Sequence, residues 1–478
     1  MIKSVCVLGG GTSGLTSALI IKARFPTLKV TVVKSAKIGI IGVGEASTEH
    51  WRYFLQFCNL DYLECLKECG ATFKYGVLFE GWMKHDYFHN VHELFAETVA
   101  GQYSLAMAYV IAHDIKFKDY TDSLALKNKV VFTDVPTNQF NFNTFKLNKW
   151  LSDKCLEKGI EIVDDEIKDV VIENNNIVKL KGDREHTADF FIDCSGFKRL
   201  LISKLGSKWQ SYKEYLPMNQ AIAFPTPDTD EYTPYVLSKA MKAGWMWRTP
   251  VRGRWGNGYV FDNKYITAEE AQKECEDYLG FKVKLAANIK FEAGSLDKIW
   301  QGNCVALGLS SSFVEPLEAT AIGVGINQCF MLVHMMLNYN QGVIDSYNEQ
   351  ARHIIENVRD YIVCHYIVDK KDTPFWKELK IKLPDTLKKN LAKWKTKLPM
   401  KDDFKSSYCL FFEINWGILL KEIGFFDRAK IKAEYDLMPE HLKKWTLSRM
   451  ATQKERILDR SMWISHKSFL ESLTNENN

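Results

Sequence analysis

Paired cysteines, long apolar runs and a charge excess of one sign are all missing from this sequence. The 11 cysteines are scattered, and none forms a CxxC pair at zinc spacing. A disulfide framework and a structural zinc site therefore lack support, and no metal is expected. Reduced thiols in a cytoplasmic protein are the expectation. Cys65 and Cys69 stand four apart and can share a helix face, but two thiols alone do not hold a metal. The most apolar stretch, 321–337, is broken by Asn327, Gln328 and His334, so it reads as a buried helix and no membrane span is expected. The chain begins Met1-Ile2-Lys3 and enters a strand-like run at once, without the pattern of a secretory signal. A formal net charge of +4 over 478 residues is too small to make nucleic acid the main partner. The lysine-rich stretch 380–405 reads as a solvated helix face. Internal repeats, low-complexity linkers, HExxH, GxSxG and the P-loop are also absent, which leaves metalloprotease, α/β-hydrolase and P-loop NTPase readings without local support.

What is present begins with a nucleotide-binding signature. Ser4-Val5-Cys6-Val7-Leu8 predicts a short buried parallel strand, 15–25 a helix stopped by Pro26, and Val30-Thr31-Val32-Val33 a second strand. Between the first strand and the helix, Gly9, Gly11 and Gly14 fit GxGxxG, with Thr12 and Ser13 inside it. The first glycine permits the tight turn, the second lets backbone approach a pyrophosphate, and the third lets helix and strand pack closely. The helix N-terminus then offers free N–H groups to the phosphates. The acid that ordinarily closes the second strand and accepts the ribose hydroxyls is replaced by Lys34, which has no acceptor. Reversible, loose dinucleotide binding is the consequence expected.

Further along, 51–69 reads as helical and Phe190-Phe191-Ile192-Asp193 as a buried strand. From 218 to 261 the pattern alternates, with proline, glycine and aromatic punctuation, and predicts antiparallel sheet. A strand at 305–308 precedes a long helix from about Thr320, and from about 346 the chain reads as mostly helical.

Several motifs name a family. They are Gly42-Val43-Gly44-Glu45-Ala46, Thr72-Phe73-Lys74-Tyr75-Gly76, Gly244-Trp245-Met246-Trp247-Arg248-Thr249-Pro250 and Phe313-Val314-Glu315-Pro316-Leu317-Glu318-Ala319-Thr320-Ala321-Ile322. With Asp193-Cys194-Ser195-Gly196-Phe197, Arg359-Asp360, His365-Tyr366 and Asp372-Thr373-Pro374-Phe375-Trp376, they resemble the flavin-dependent halogenases, over most of the chain. The glycine loop is common to many flavoproteins; the Trp-x-Trp-x-x-Pro element and the Lys74/Glu318 pair are far more specific.

The resemblance implies an α/β, flavin-monooxygenase-like FAD fold of Rossmann type, with an antiparallel sheet region and a helical C-terminal part. On this reading 1–205 is the FAD module, completed by 290–335; 206–289 is the sheet region carrying Trp-x-Trp; and 336–478 is the helical substrate side. Reduced FAD, delivered by a separate flavin reductase, dioxygen and halide would yield hypohalous acid. That oxidant would travel inside the protein to Lys74, with Glu318 as its partner acid, and halogenate an electron-rich aromatic of phenol or indole type. Gly9, Gly11, Thr12, Ser13, Gly14, Gly42, Val43, Gly44, Glu45, Ala46, Gly308, Leu317 and Ile322 would contact FAD. Backbone at Thr320 and Ala321 would hold the halide, and Trp245, Trp247 and Pro250 would form the flavin-side motif. A homo-oligomer is left open.

The chemistry is coherent from the residues themselves. Burial lowers a lysine's pKa, so Lys74 can hydrogen-bond hypohalous acid or form a haloamine, and a nearby carboxylate can take the ring proton. Read singly, Lys74 is a surface lysine, Glu318 a first-turn acid favoured by a helix dipole, and Trp245 and Trp247, on one face of a strand, are core aromatics. Trp376, Phe411, Phe412 and Trp416 are candidates for lining the substrate side, or are core.

The sequence also departs from the family pattern. Ala319 replaces a serine hydroxyl and Ala321 a glycine, whose positive φ an alanine adopts at a cost. Thr249 stands for isoleucine, and Asn141-Phe142-Asn143 for His-Phe-Asp. An altered halide pocket is expected, with bromide or iodide favoured over chloride, and tryptophan is not carried over as substrate. The rival readings are an aromatic monooxygenase on the same fold, which would not need Lys74, and a non-catalytic flavin-binding protein.

Overall fold

The structure, a computed structural model, describes residues 2–40, 42, 46–91, 103–117, 123–131, 139–229 and 231–475. The βαβ unit forms as the sequence predicts: β1 (Ser4–Leu8), α1 (Thr12–Arg24) and β2 (Lys29–Lys34). Both faces of β1 are covered, which is why it reads as a continuous apolar run and not an alternating one. It lies parallel between β2, with Val5 opposite Val30, and the strand Phe190–Asp193, with Val5 opposite Phe190. Cys304–Ala306 and Glu161–Asp164 extend the parallel sheet on the two sides, and Trp300–Gln301 closes one edge antiparallel. α1 packs against the helices Thr144–Glu157 and Thr320–Met335.

The alternating region becomes a second sheet of seven strands. Val236–Met241, Gly244–Val251 and Arg254–Phe261 form an antiparallel meander, and Gln220–Pro227 pairs antiparallel with the last of them. Two strands from far upstream join its edge, β4 (Gly76–Glu80) and β5 (Tyr87–Asn90), and β4 runs parallel to Val236–Met241. This edge matters because the two-residue strand β3 (Thr72–Phe73) precedes β4 and leads directly into Lys74. From Gln341 onward the chain is mostly helical, from Gln341–His365 through Glu413–Glu422 to His466–Asn475.

One apolar core runs continuously beneath both sheets and the helices. In the lysine-rich stretch, helix Asp385–Trp394 buries Leu387, Leu391 and Trp394 and leaves Lys388, Lys389 and Lys393 exposed, the solvated face expected. Cys65 and Cys69 do share a helix face, with sulfurs 4.0 Å apart, and both are buried. No helix among the described residues is long and apolar enough to cross a membrane.

Candidate active site

Between the two sheets lies a cavity of about 840 Å³. Its dinucleotide end is built from backbone. Gly9, at φ +124°, turns the chain out of β1, and its N–H donates to Val33 O at 2.8 Å. A Cβ on Gly14 would stand 1.9 Å from the Gly9 carbonyl oxygen, so helix and loop touch there. Gly11, the residue preceding α1, has nothing within 4 Å of where its Cβ would be. It opens on the cavity and lacks a side-chain cap, so the first N–H groups of α1 are left for a ligand. A glycine cradle, uncapped amides and a long cavity are what a pyrophosphate-linked dinucleotide requires, and FAD fits this donor set. Thr12, Ser13, Gly42, Ala46, Leu317 and Ile322 line the same cavity. Val43, Gly44 and Glu45 lie outside the described residues. Lys34 folds its aliphatic stem over Gly10, while Asp165 and Glu166, from the exit of the neighbouring strand, face the cavity beside it.

The other end is built from side chains. Lys74 is 1% exposed, and its ammonium donates to the Ser47 carbonyl at 3.1 Å. Burial pulls its pKa below the ordinary lysine value, with the charges of Glu318 and Glu49 opposing. Glu318 lines the same cavity but makes no ion pair with Lys74; its Oε1 is held by two buried imidazoles. His89 Nδ1 lies at 2.7 Å and His365 Nε2 at 3.3 Å. The Tyr87 hydroxyl sits 2.8 Å from His365 Nδ1; when Tyr87 donates there, Nε2 carries the ring proton on the side of Glu318, close to the carboxylate but outside hydrogen-bond geometry. Burial alone would raise the Glu318 pKa; the two histidines more than reverse this and hold it well below the usual carboxylate range. His365 is itself lowered by burial. The arrangement is a buried, ionised carboxylate bonded to His89 Nδ1, with the His365 imidazole beside the same oxygen.

The backbone at this acid is strained. Glu318 has φ +66° and Ala319 φ +57°, both left-handed and neither glycine. Each such residue costs about 1–3 kcal/mol and persists only where its surroundings over-determine it. Here the turn aims the carboxylate at the two histidines. This corrects the expectation for Ala321, which sits in the first turn of the helix Thr320–Met335 and carries no positive φ; the left-handed positions fall at 318 and 319. It also moves Glu318 out of a first-turn, dipole-stabilised role, because its carboxylate partners are side chains. Thr320 and Ala321 line the large cavity and also an adjoining pocket of about 20 Å³ shared with Gly308.

Trp245 and Trp247 both face the cavity from the strand Gly244–Val251, with rings 6.1 Å apart. Trp245 Nε1 donates to Glu315 Oε2 at 2.7 Å, and Tyr366 donates to the same oxygen at 2.5 Å. Burial raises the Glu315 pKa to about 7, against both hydrogen bonds. Pro250 does not reach the cavity lining; its carbonyl accepts from Thr72 Oγ1 at 2.6 Å and so ties the Trp-x-Trp strand to β3. Asn143 caps the helix Thr144–Glu157, and Asn141 donates to Thr72 Oγ1 at 3.1 Å, so both serve the frame around β3. Trp376 donates to the Met241 carbonyl at 2.7 Å, and Phe411 stacks on Tyr361 at 3.8 Å, with Trp416 against the same ring.

Sequence reasoning missed the Ser47 carbonyl, His89 and Glu315. Ser47 acts through backbone and leaves no residue-type signal. His89 is one letter in a strand, and only the fold brings it to Glu318. Glu315 offered a signal, an acid in an otherwise apolar turn before Pro316.

Residues 4–436 match the tryptophan halogenase family. The 7-chloro-L-tryptophan 6-halogenase KtzR of Kutzneria sp. is 31% identical over 443 residues, covering 82% of this chain and 85% of that protein. The tryptophan 6-halogenase SttH of Streptomyces toxytricini is 30% identical over 442 residues, covering 83% of this chain and 84% of that protein. Its crystal structure superimposes with a TM-score of 0.84 at 25% identity, covering 98% of this chain and 99% of that one. Xcc4156, a flavin-dependent halogenase from Xanthomonas campestris, gives a TM-score of 0.87 at 26% identity, covering 99% and 98%. A FAD-type α/β fold, a glycine-cradled cavity and a sequence match over nearly the whole length agree: the chain belongs to the tryptophan halogenase family of flavin-dependent enzymes.

Proposed function

We propose that this enzyme halogenates an electron-rich aromatic of phenol or indole type by way of Lys74. The observation that carries the proposal is that one cavity is lined by the glycine loop, by Trp245 and Trp247, and by Lys74 and Glu318. An oxidant made beside the glycine loop and Trp245 can reach Lys74 within this one cavity, and bound flavin would shield the path from bulk water and from side reactions. Reduced FAD with dioxygen supplies the oxidising equivalent that turns halide into hypohalous acid. Lys74 then holds that acid by hydrogen bond, or its neutral amine takes the halogen from oxygen and releases water; burial lowers its pKa, which favours the amine. Ser47 fixes one ammonium proton and so directs the group. Glu318 stands ionised across the cavity. It stabilises the cationic ring formed on halogen attack and accepts the ring proton; a weak base suffices because such a ring is a strong acid. Trp245 and Trp247 wall the flavin end.

The halide reading rests on Thr320 and Ala321. They open a 16-residue helix whose preceding residue, Ala319, provides no side-chain cap, so the terminal amides are free for an anion. Ala319 lacks the hydroxyl that its family counterpart would offer. Bromide and iodide, easier to oxidise and less dependent on strong donors, are preferred over chloride on this reading. A separate flavin reductase supplies the reduced flavin.

The test is a mass-spectrometric screen of phenols and indoles with a flavin reductase and all three halides present. A halogenated product lost in Lys74→Ala is expected, with bromide outcompeting chloride. A hydroxylated product that survives Lys74→Ala would make the enzyme a monooxygenase instead.

A further inference from the structure

β3 is only two residues long, and alternation splits its backbone between two sides. The Lys74 N–H points to the side of Phe140–Asn141, the strand paired antiparallel with β3, and donates to Gln139 O at 3.0 Å. Phe73 and Tyr75 therefore aim their N–H groups the other way. There, the Tyr75 N–H meets the Pro234 carbonyl at 2.6 Å. Two residues back, the matching acceptor for Phe73 would be the Tyr232 carbonyl, but an imidazole stands between them. His466 Nε2 accepts from the Phe73 N–H at 3.0 Å, and His466 Nδ1 lies 3.3 Å from Tyr232 O.

The ring is 1% exposed and stacks on Phe73 at 5.4 Å with an interplanar angle of 18°. Its two contacts fix the tautomer: Nδ1 carries the proton and Nε2 presents the lone pair. Burial pushes its pKa down to about 3, so it stays a neutral donor–acceptor spacer across the working range of an enzyme. The segment that delivers it is tied in on both sides. Trp463–Ser465 pairs with Lys129–Val131, and Phe469, one helical turn after His466, packs on Phe73 at 5.5 Å. This segment lies beyond the residues matched to the family, 4–436.

We infer that His466 is a positioning residue for Lys74: its imidazole is spliced into the backbone ladder beside Lys74 and sets where that side chain enters the cavity. The inference rests on Lys74 being the reacting lysine. It makes the C-terminal segment part of the lysine end of the site, although it lies almost four hundred residues away in sequence.

Three full-length proteins test it: wild type, His466→Phe, which keeps the stack and removes both hydrogen bonds, and His466→Gln, which keeps an acceptor near Nε2. The first readout needs no turnover. Reductive methylation by formaldehyde and borohydride, followed by mass spectrometry of the Lys74 peptide, gives the pH at which Lys74 loses its proton. The second is bromination of indole with bromide and a flavin reductase, alongside FAD affinity. For His466→Phe the Lys74 titration is expected to move toward the ordinary lysine value and bromination to fall about tenfold, with FAD affinity unchanged. His466→Gln should recover most of both. Unchanged Lys74 titration in a folded His466→Phe overturns the inference, and so does failure of both variants to fold, which would make the residue a general staple. If wild type brominates nothing, the functional reading falls while the titration still judges His466.

Discussion

At the dinucleotide end of the cavity, one short stretch of chain does the construction: Gly9 turns, Gly14 packs, and Gly11 leaves amides bare. At the lysine end, Lys74 follows β3, its carbonyl partner is Ser47, its acid sits on a strained turn at 318, and the histidines holding that acid come from β5 and from the helix Gln341–His365. The first end is local and made largely of backbone. The second is assembled from side chains distant in sequence, each buried, each oriented by another. On the proposed function, binding is entrusted to geometry that a short stretch of chain can specify, and chemistry to geometry that only the whole fold can specify.

The sharpest way to break that contrast is Lys74→Ala. If the two ends are separable, halogenation falls about a thousandfold or more while FAD affinity stays within about twofold of wild type. Flavin titration and product yield on the same preparation measure both. A large loss of FAD affinity would mean that the ends are one unit. Glu318→Gln comes next. It keeps the shape and one acceptor but removes the charge facing Lys74, and a loss of several hundredfold in turnover is expected, again with flavin binding intact.

The same contrast explains what the sequence made legible. The βαβ unit, the alternating sheet and the long helix from Thr320 were all readable, because hydrophobic period and glycine placement are local signals. The joining of β4 and β5 to the sheet edge was not, because strand pairing across more than a hundred residues leaves no period. Lys74 and Glu318 were found through motif resemblance, not through any contact between them, and none exists directly. The turn at 318–319 ran against local rules: left-handed backbone was expected to trouble Ala321, yet the chain puts it on Glu318 and Ala319. Local rules fail where tertiary contacts over-determine a strained residue, and that occurs at the acid.

Glu315, buried behind Trp245 and bonded to Tyr366, sharpens the comparison through stability. Its folded pKa of about 7 lies above the 4.5 of an ordinary glutamate, raised by burial against the bonds from Tyr366 and Trp245. The folded protein thus prefers the protonated acid. That preference is fully present below the unfolded pKa and is lost as pH rises through the folded one. Wild type should lose about 2 to 3 kcal/mol of stability between pH 5 and pH 8 from this group, and Glu315→Gln should not. Urea unfolding of both proteins at the two pH values gives the difference directly. Identical pH slopes would show that Glu315 is ionised throughout and holds Trp245 as a carboxylate.

The smallest effect belongs to Lys34, where the local end departs from its own pattern. A glutamate there could accept from both ribose hydroxyls, and Lys34→Glu is expected to tighten FAD about tenfold. Wild type should correspondingly shed flavin on gel filtration. The neighbouring strand ends in acids, however. Both face the cavity, but Asp165 is occupied by the backbone amides of Asp183 and Arg184 and by His186, which leaves Glu166 as the candidate acceptor. If Lys34→Glu leaves affinity unchanged and Glu166→Gln weakens it, the ribose acceptor has moved one strand across the sheet. The dinucleotide end would then also depend on a residue brought in by the fold, and the contrast between the two ends would be one of degree.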